Sequence, residues 1–152
     1  MSEGAVLVTG AGGLIGHAVA TLLVEQGREV VALDRLPAPD APRPVLPHEI
    51  GEVHRLHELV RRRRVTHVVH AGGISGPMVA PEQPAKVFSV NVGGLVDILE
   101  VARIHGLVRV VWFSSILAYE PRGDAAPVSL RQADSQMTPG GSPSVAGDAG
   151  AA

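Results

Sequence analysis

Cysteine is absent from the 152 residues, which removes disulfides, thiolate metal sites and cysteine nucleophiles together. No stretch approaches the ~18 consecutive apolar residues of a membrane span. The first residues enter a strand pattern at once, without the charged and long apolar regions of a secretory signal. A soluble, cytoplasmic protein with no membrane partner is therefore expected. Neither sign of charge dominates: 13 basic against 15 acidic residues give a net charge of −2, so nothing electrostatic points to nucleic acid as a partner. The one basic run, Arg61 to Arg64, falls at the end of an expected helix, where cations complement the helix dipole and face solvent. His48, His54 and His57 with Glu49, Glu52 and Glu58 imitate a metal cluster. No second group of ligands is visible elsewhere in the sequence, so they read as an exposed helix face and no metal is expected. Internal repeats are absent as well.

What the chain does have is glycine in one telling place. Val8-Thr9-Gly10-Ala11-Gly12-Gly13-Leu14-Ile15-Gly16 lies between an apolar strand pattern, Ala5 to Thr9, and an amphipathic helix pattern, Leu14 to Glu25. A backbone that bends sharply and admits a pyrophosphate within hydrogen-bonding distance cannot carry side chains there. Gly10 permits the turn, Gly13 lets the first helical amides, those of Leu14 and Ile15 among them, face the phosphates, and Gly16 lets helix and strand pack closely. The helix dipole adds attraction for the anion. The next strand pattern, Glu29 to Leu33, ends in Asp34, 18 residues beyond Gly16 and near the ~20-residue offset of the acid that binds a ribose hydroxyl. A carboxylate accepts from a 2′-hydroxyl and repels a 2′-phosphate, which favours NAD over NADP. Arg35 is the counterweight, since a guanidinium there could pair with that phosphate.

Helix and strand patterns alternate along the rest of the chain. A proline-rich loop, Pro37 to Pro47, includes a weakly signalled strand near Val45 and Leu46. A helix at Glu52 to Arg63, a strand at Thr66 to Ala71, a long helix at Glu82 to His105 and a strand at Val108 to Ser114 follow. Strands that read as near-continuous apolar runs between helices predict an α/β fold with a doubly wound parallel sheet covered on both faces. Residues 1–120 are expected to form this Rossmann-like domain. Residues 121–152, rich in Pro, Gly, Ser and Ala, carry no periodicity and read as an irregular tail.

Thr9 to Gly16, Asp34, Val69-His70-Ala71-Gly72-Gly73, Asn91-Val92-Gly93-Gly94 and Trp112-Phe113-Ser114-Ser115-Ile116-Leu117-Ala118-Tyr119 occur in an order and spacing that resembles the extended short-chain dehydrogenase/reductases. Within them the chain is most similar to the NAD-dependent epimerase/dehydratase family acting on nucleotide-sugars, over about Ala5 to Pro143, roughly the first half of such an enzyme. The resemblance implies the strand order 3-2-1-4-5, that His70, Ala71, Gly72 and Gly73 lie against the ribose-phosphate of the cofactor and that Asn91 steadies the central helix and strand near the nicotinamide. It places Glu49 and Ile50 where the family has an Asp-Ile or Asp-Leu pair contacting adenine, with Glu for Asp as a departure.

Family chemistry uses a tyrosine as general acid/base, a lysine four residues later that lowers its pKa, and a Ser or Thr that hydrogen-bonds the substrate oxygen. Ser115 matches the last. At the other two places stand Ser144 and Asp148, after Pro143. An aliphatic hydroxyl cannot replace a phenol of unperturbed pKa ~10, and Asp148 brings negative charge where the mechanism uses positive. The single Tyr119 and single Lys86 form no Tyr-x-x-x-Lys. The residues thus describe a remnant of the catalytic-helix region and a cofactor-binding region inactive alone, truncated before the substrate-binding lobe. The alternatives are a non-catalytic NAD(P)-binding sensor, half of a split enzyme and a degenerate product. The implied partners are the nicotinamide dinucleotide, a sugar or nucleotide-sugar in the intact form, and a second copy or a complementing C-terminal chain.

Overall fold

The computed structural model describes residues 4–75 and 82–114, which fall within a compact unit, Met1–Ser114. Strands β1 (Ala5–Thr9), β2 (Val30–Asp34), β3 (Val45–Pro47), β4 (Val65–His70) and β5 (Arg109–Trp112) form one sheet in the order β3-β2-β1-β4-β5. All four pairings are parallel, as the continuous apolar runs predict. β1 is central, with Val8 in register with Ala32 on one side and Val69 on the other.

Every residue of β1 is buried, because a parallel sheet with helices on both faces leaves neither side of its middle strand wet. Its alternation divides the core. Leu7 and Leu33 join Leu56 and Val60 of helix α2 (Val53–Arg62) and Ile98 and Val101 of helix α4 (Gly94–His105) on one face. Val6, Val8 and Ala32 meet Ala20, Val19 and Leu23 of helix α1 (Leu14–Glu25) on the other. Burying each Val or Leu side chain contributes roughly 1.5–3 kcal/mol, so two well-filled faces hold the carboxyl ends of the strands in place. Arg61, Arg62, Arg63 and Arg64 are all exposed at the end of α2.

The expected helix over Glu82 to His105 forms from Pro84 onward, with one irregularity inside it. Helix α3 (Pro84–Phe88) starts two residues later, a π-helical turn spans Ser89–Gly93, and α4 begins at Gly94. The reason lies outside the helix. Asn91 accepts a hydrogen bond from Ile74 N at 2.7 Å and donates one to Ile74 O at 2.8 Å, pinning the widened turn from its side. Gly93 and Gly94 beside it have little intrinsic preference for regular helix. The other elements lie within a residue or two of their expected bounds. The expected boundary at residue 120 and the tail 121–152 lie outside the described residues.

Candidate dinucleotide-binding site

The site starts where β1 stops. Gly10 has φ +67°, and a Cβ on it would lie 2.6 Å from the Ala71 carbonyl and the Gly72 nitrogen, so only glycine can turn the chain there against the end of β4. Gly13 N donates to Gly10 O at 3.0 Å, closing the turn. A Cβ on Gly16 would overlap that same Gly10 carbonyl, which brings the first turn of α1 directly onto the loop. No side chain caps α1 and its first turn holds no acidic residue, so the positive end of the helix is left to an anion. At Gly13 a Cβ would meet no side chain, and its one neighbour is Gly10 O at a tight 3.3 Å.

Asp34, at the end of β2, is bound to this turn. Its Oδ2 accepts from Gly12 N at 2.9 Å and its Oδ1 from Leu36 N at 3.0 Å. A carboxylate has about four lone-pair sites, so two amides fix its orientation and leave capacity for ribose hydroxyls. Gly10, Gly13 and Asp34 line a cleft of about 500 Å³ together with Arg35, Glu49 and Ile50. This is within the ~300–1,000 Å³ range of small-molecule sites, and it lies beyond the carboxyl ends of β1, β2 and β4, where open parallel sheets bind ligands. His70, Ala71 and Gly72 form its wall at the end of β4.

His70 is buried, and burial pushes its imidazole below the ordinary histidine range, so the ring is neutral at pH 7. Gly72 N donates to Thr9 Oγ1 at 3.3 Å. The Thr9 hydroxyl in turn lies 2.7 Å from His70 Nδ1. That bond engages Nδ1 and orients the ring. His48 is buried too, and its pKa is lowered chiefly by desolvation. Its Nδ1 has no hydrogen-bond partner among the described residues and lies 3.6 Å from Glu52 Oε2, an oxygen that accepts from Glu49 N at 3.0 Å.

Leu14, Ile15, Gly16 and Asn91 do not line the cleft. Leu14 and Ile15 point outward, Gly16 packs the turn, and Asn91 clamps the backbone of Ile74. Ser115, Ser144 and Asp148 lie outside the described residues. Thr9, His48, Lys86 and Asp97 also line the cleft. Thr9 follows from its place at a strand end, whereas Lys86 and Asp97 sit on helical segments whose facing depends on the π-helical turn and carries no signal in the sequence. Glycine completes the packing: a Cβ on Gly94 would lie 2.5 Å from Ile50 Cγ2, so its absence lets α4 approach the cleft wall.

A model of the NAD dependent epimerase/dehydratase family matches residues 6–143. The chain is similar to a 3-beta-hydroxysteroid dehydrogenase of Mycolicibacterium neoaurum, 31% identical over 117 residues that cover 74% of this chain and 32% of the relative. It is similar to a UDP-glucose 4-epimerase of Neisseria gonorrhoeae, 30% identical over 147 residues that cover 89% of this chain and 42% of the relative. Among solved structures, UDP-glucose 4-epimerase from Brucella ovis in complex with NAD superposes with a TM-score of 0.69 at 29% identity, over 84% of this chain and 39% of that one. The chain therefore spans between a third and a little over two fifths of the length of these proteins.

Proposed function

The chain belongs to the NAD dependent epimerase/dehydratase family, and on that premise we propose that its described residues bind NAD in the cleft between the glycine turn and the end of β4. The observation that carries this reading is the Asp34 carboxylate held against Gly12 at the mouth of an uncapped helix. The residues fit the cofactor: a position without side-chain obstruction at Gly13 and a carboxylate with spare acceptor sites stand where pyrophosphate and ribose need them. Amides of the first turn of α1 take the phosphates, and Asp34 takes the adenosine ribose. Its charge disfavours the additional phosphate of NADP, with Arg35 moderating the preference. Glu49 and Ile50 bound the adenine end of the cleft, and His70, Ala71 and Gly72 bound the path toward the nicotinamide.

When bound, NAD supplies hydride exchange at its nicotinamide. In the whole protein the substrate is a nucleotide-sugar-type alcohol or ketone, and Ser115 positions its oxygen. These 152 residues contain no Tyr-x-x-x-Lys. A positioned acid/base contributes typically ~10²- to 10⁴-fold, so the residues bind cofactor without turning over substrate by themselves. That same lack favours a second reading, in which the chain is a non-catalytic NAD-responsive module. Nicotinamide absorbance followed across nucleotide-sugars tests the proposal: the unmodified chain gives no turnover. Ser144→Tyr with Asp148→Lys gives none either, because Ser115 alone does not hold a sugar in a reactive orientation against the nicotinamide. Robust turnover lost in Ser115→Ala would contradict it and make Tyr119 the next acid to examine.

A further inference from the structure

His57 lies on α2 and His105 in the last turn of α4, and neither lines the cleft. The two half-buried rings meet across the helices, with His57 Nδ1 2.8 Å from His105 Nε2, ring centroids 5.1 Å apart and planes tilted by 51°. At that separation one nitrogen donates and the other accepts, so the two ring nitrogens face each other across the helices. A zinc–imidazole bond is ~2.0–2.1 Å long. Two such bonds at a tetrahedral angle separate the nitrogens by ~3.3 Å, which the pair reaches by opening about half an ångström from its 2.8 Å contact and turning both rings so that their lone pairs converge on the ion.

We propose that His57 and His105 form a two-imidazole site for a borderline-soft divalent transition-metal ion, which ties α2 to the C-terminal end of α4. Imidazole suits zinc, copper and nickel, whereas magnesium and calcium prefer oxygen. The partial negative charge at the end of α4 favours a cation there. The helices are already held together by Leu56 and Val60 packing with Ile98 and Val101, so both ligands are positioned before an ion arrives. The surrounding charges leave the site to imidazole and water. Glu58 is taken by Arg62 at 2.9 Å, and Glu100 receives two bonds from Arg103, at 2.8 and 2.6 Å. His54 and Arg61, a turn to either side of His57 on α2, are exposed. No group of three or more His, Cys, Asp or Glu side chains gathers for a metal among the described residues, so water fills the remaining coordination positions. A proton competes with the metal, since doubly protonated rings have no lone pair between them and repel.

Calorimetry of the untagged chain with Ni²⁺ and with Zn²⁺ at pH 7.5 tests the site, with Mg²⁺ as the oxygen-seeking control. One ion per chain is expected for Ni²⁺ and Zn²⁺ and none for Mg²⁺. Affinity should fall on lowering the pH to 5.5, because protons compete with the ion for the imidazole lone pairs. Binding should vanish in His57→Ala and in His105→Ala and persist in His54→Ala, with NAD affinity unchanged in all three. Should the first two variants not fold, nitrogen NMR of the unmodified chain decides: two histidine rings must shift on adding Zn²⁺, and they must be the two that lie in mutual contact. Binding that survives both substitutions, or rings that do not respond, would overturn the proposal.

Discussion

Asp34 and Gly12 are joined by a 2.9 Å hydrogen bond from the Gly12 amide to Oδ2, so the acid at the end of β2 and the turn after β1 form one unit although they lie 22 residues apart. A hydrogen bond to a charged group is worth about 1.5–3 kcal/mol, and a second from Leu36 N at 3.0 Å fixes the other oxygen. Asp34→Ala should therefore loosen the turn as well as remove a ribose acceptor. NAD binding is expected to weaken by about tenfold or more and the preference over NADP to narrow. Paired titrations with the two cofactors check this, and an unchanged ratio would show that Asp34 does not set the preference.

Gly16→Ala separates packing from binding. The added methyl would overlap the Gly10 carbonyl, which is backbone and cannot swing away. The cost should be at least the ~1–3 kcal/mol of an overpacked core, read as a lower midpoint in urea. A midpoint equal to the unmodified chain's would mean that the turn has room the structure does not give it.

Stability should fall as the solution is acidified through the histidine range. Burial lowers the pKa of His70 and of His48 from the 6.5 of a free imidazole, so between the lowered values and 6.5 the unfolded chain binds more protons than the folded one. The contribution is complete above about pH 6.5 and is lost as pH falls through the folded-state values. Urea midpoints at pH 7.5 and 5.5 should differ less for His48→Asn/His70→Asn than for the unmodified chain. An identical pH dependence would place the acid sensitivity elsewhere.

How much of this could be read from the residues alone depended on the range of the interactions. Parallel pairing and the glycine turn were legible because fully buried parallel strands write continuous apolar runs and because Gly10 answers a local backbone need, while the strand order came with the family resemblance. The tie between Asp34 and the turn was visible only as an offset. The π-helical turn inside the long helix was not legible, since it depends on Asn91 meeting the backbone of Ile74 across 17 residues. The meeting of His57 with His105, 48 residues apart, was invisible for the same reason: His57 looked like part of an exposed face with no second ligand. His70 was expected against the cofactor, and its Nδ1 is occupied by Thr9 Oγ1, which leaves Nε2 for any contact in the cleft.

The far edge of the sheet carries a prediction about association. Among the described residues β5 pairs with β4 alone, and Val108, Val111, Trp112 and Phe113 are exposed. An apolar edge strand of this kind invites pairing with another chain. Sedimentation should show association that grows with concentration and is reduced in Val111→Lys. A compact monomer at all concentrations, with no dye-accessible apolar surface, would contradict it.

The central claim is that the cleft at the glycine turn holds NAD, and Gly13→Val tests it most directly. Gly13 has an extended backbone, φ −83° and ψ 167°, which any residue adopts, and its Cβ position meets Gly10 O in a tight 3.3 Å contact, so valine fills the path of the pyrophosphate at the cost of a small shift of the turn, and the comparison is made on a variant shown to be folded. Calorimetry with NAD should give one site on the unmodified chain and none on a Gly13→Val chain whose circular dichroism is unchanged. Equal NAD affinity in the two folded proteins would contradict the account.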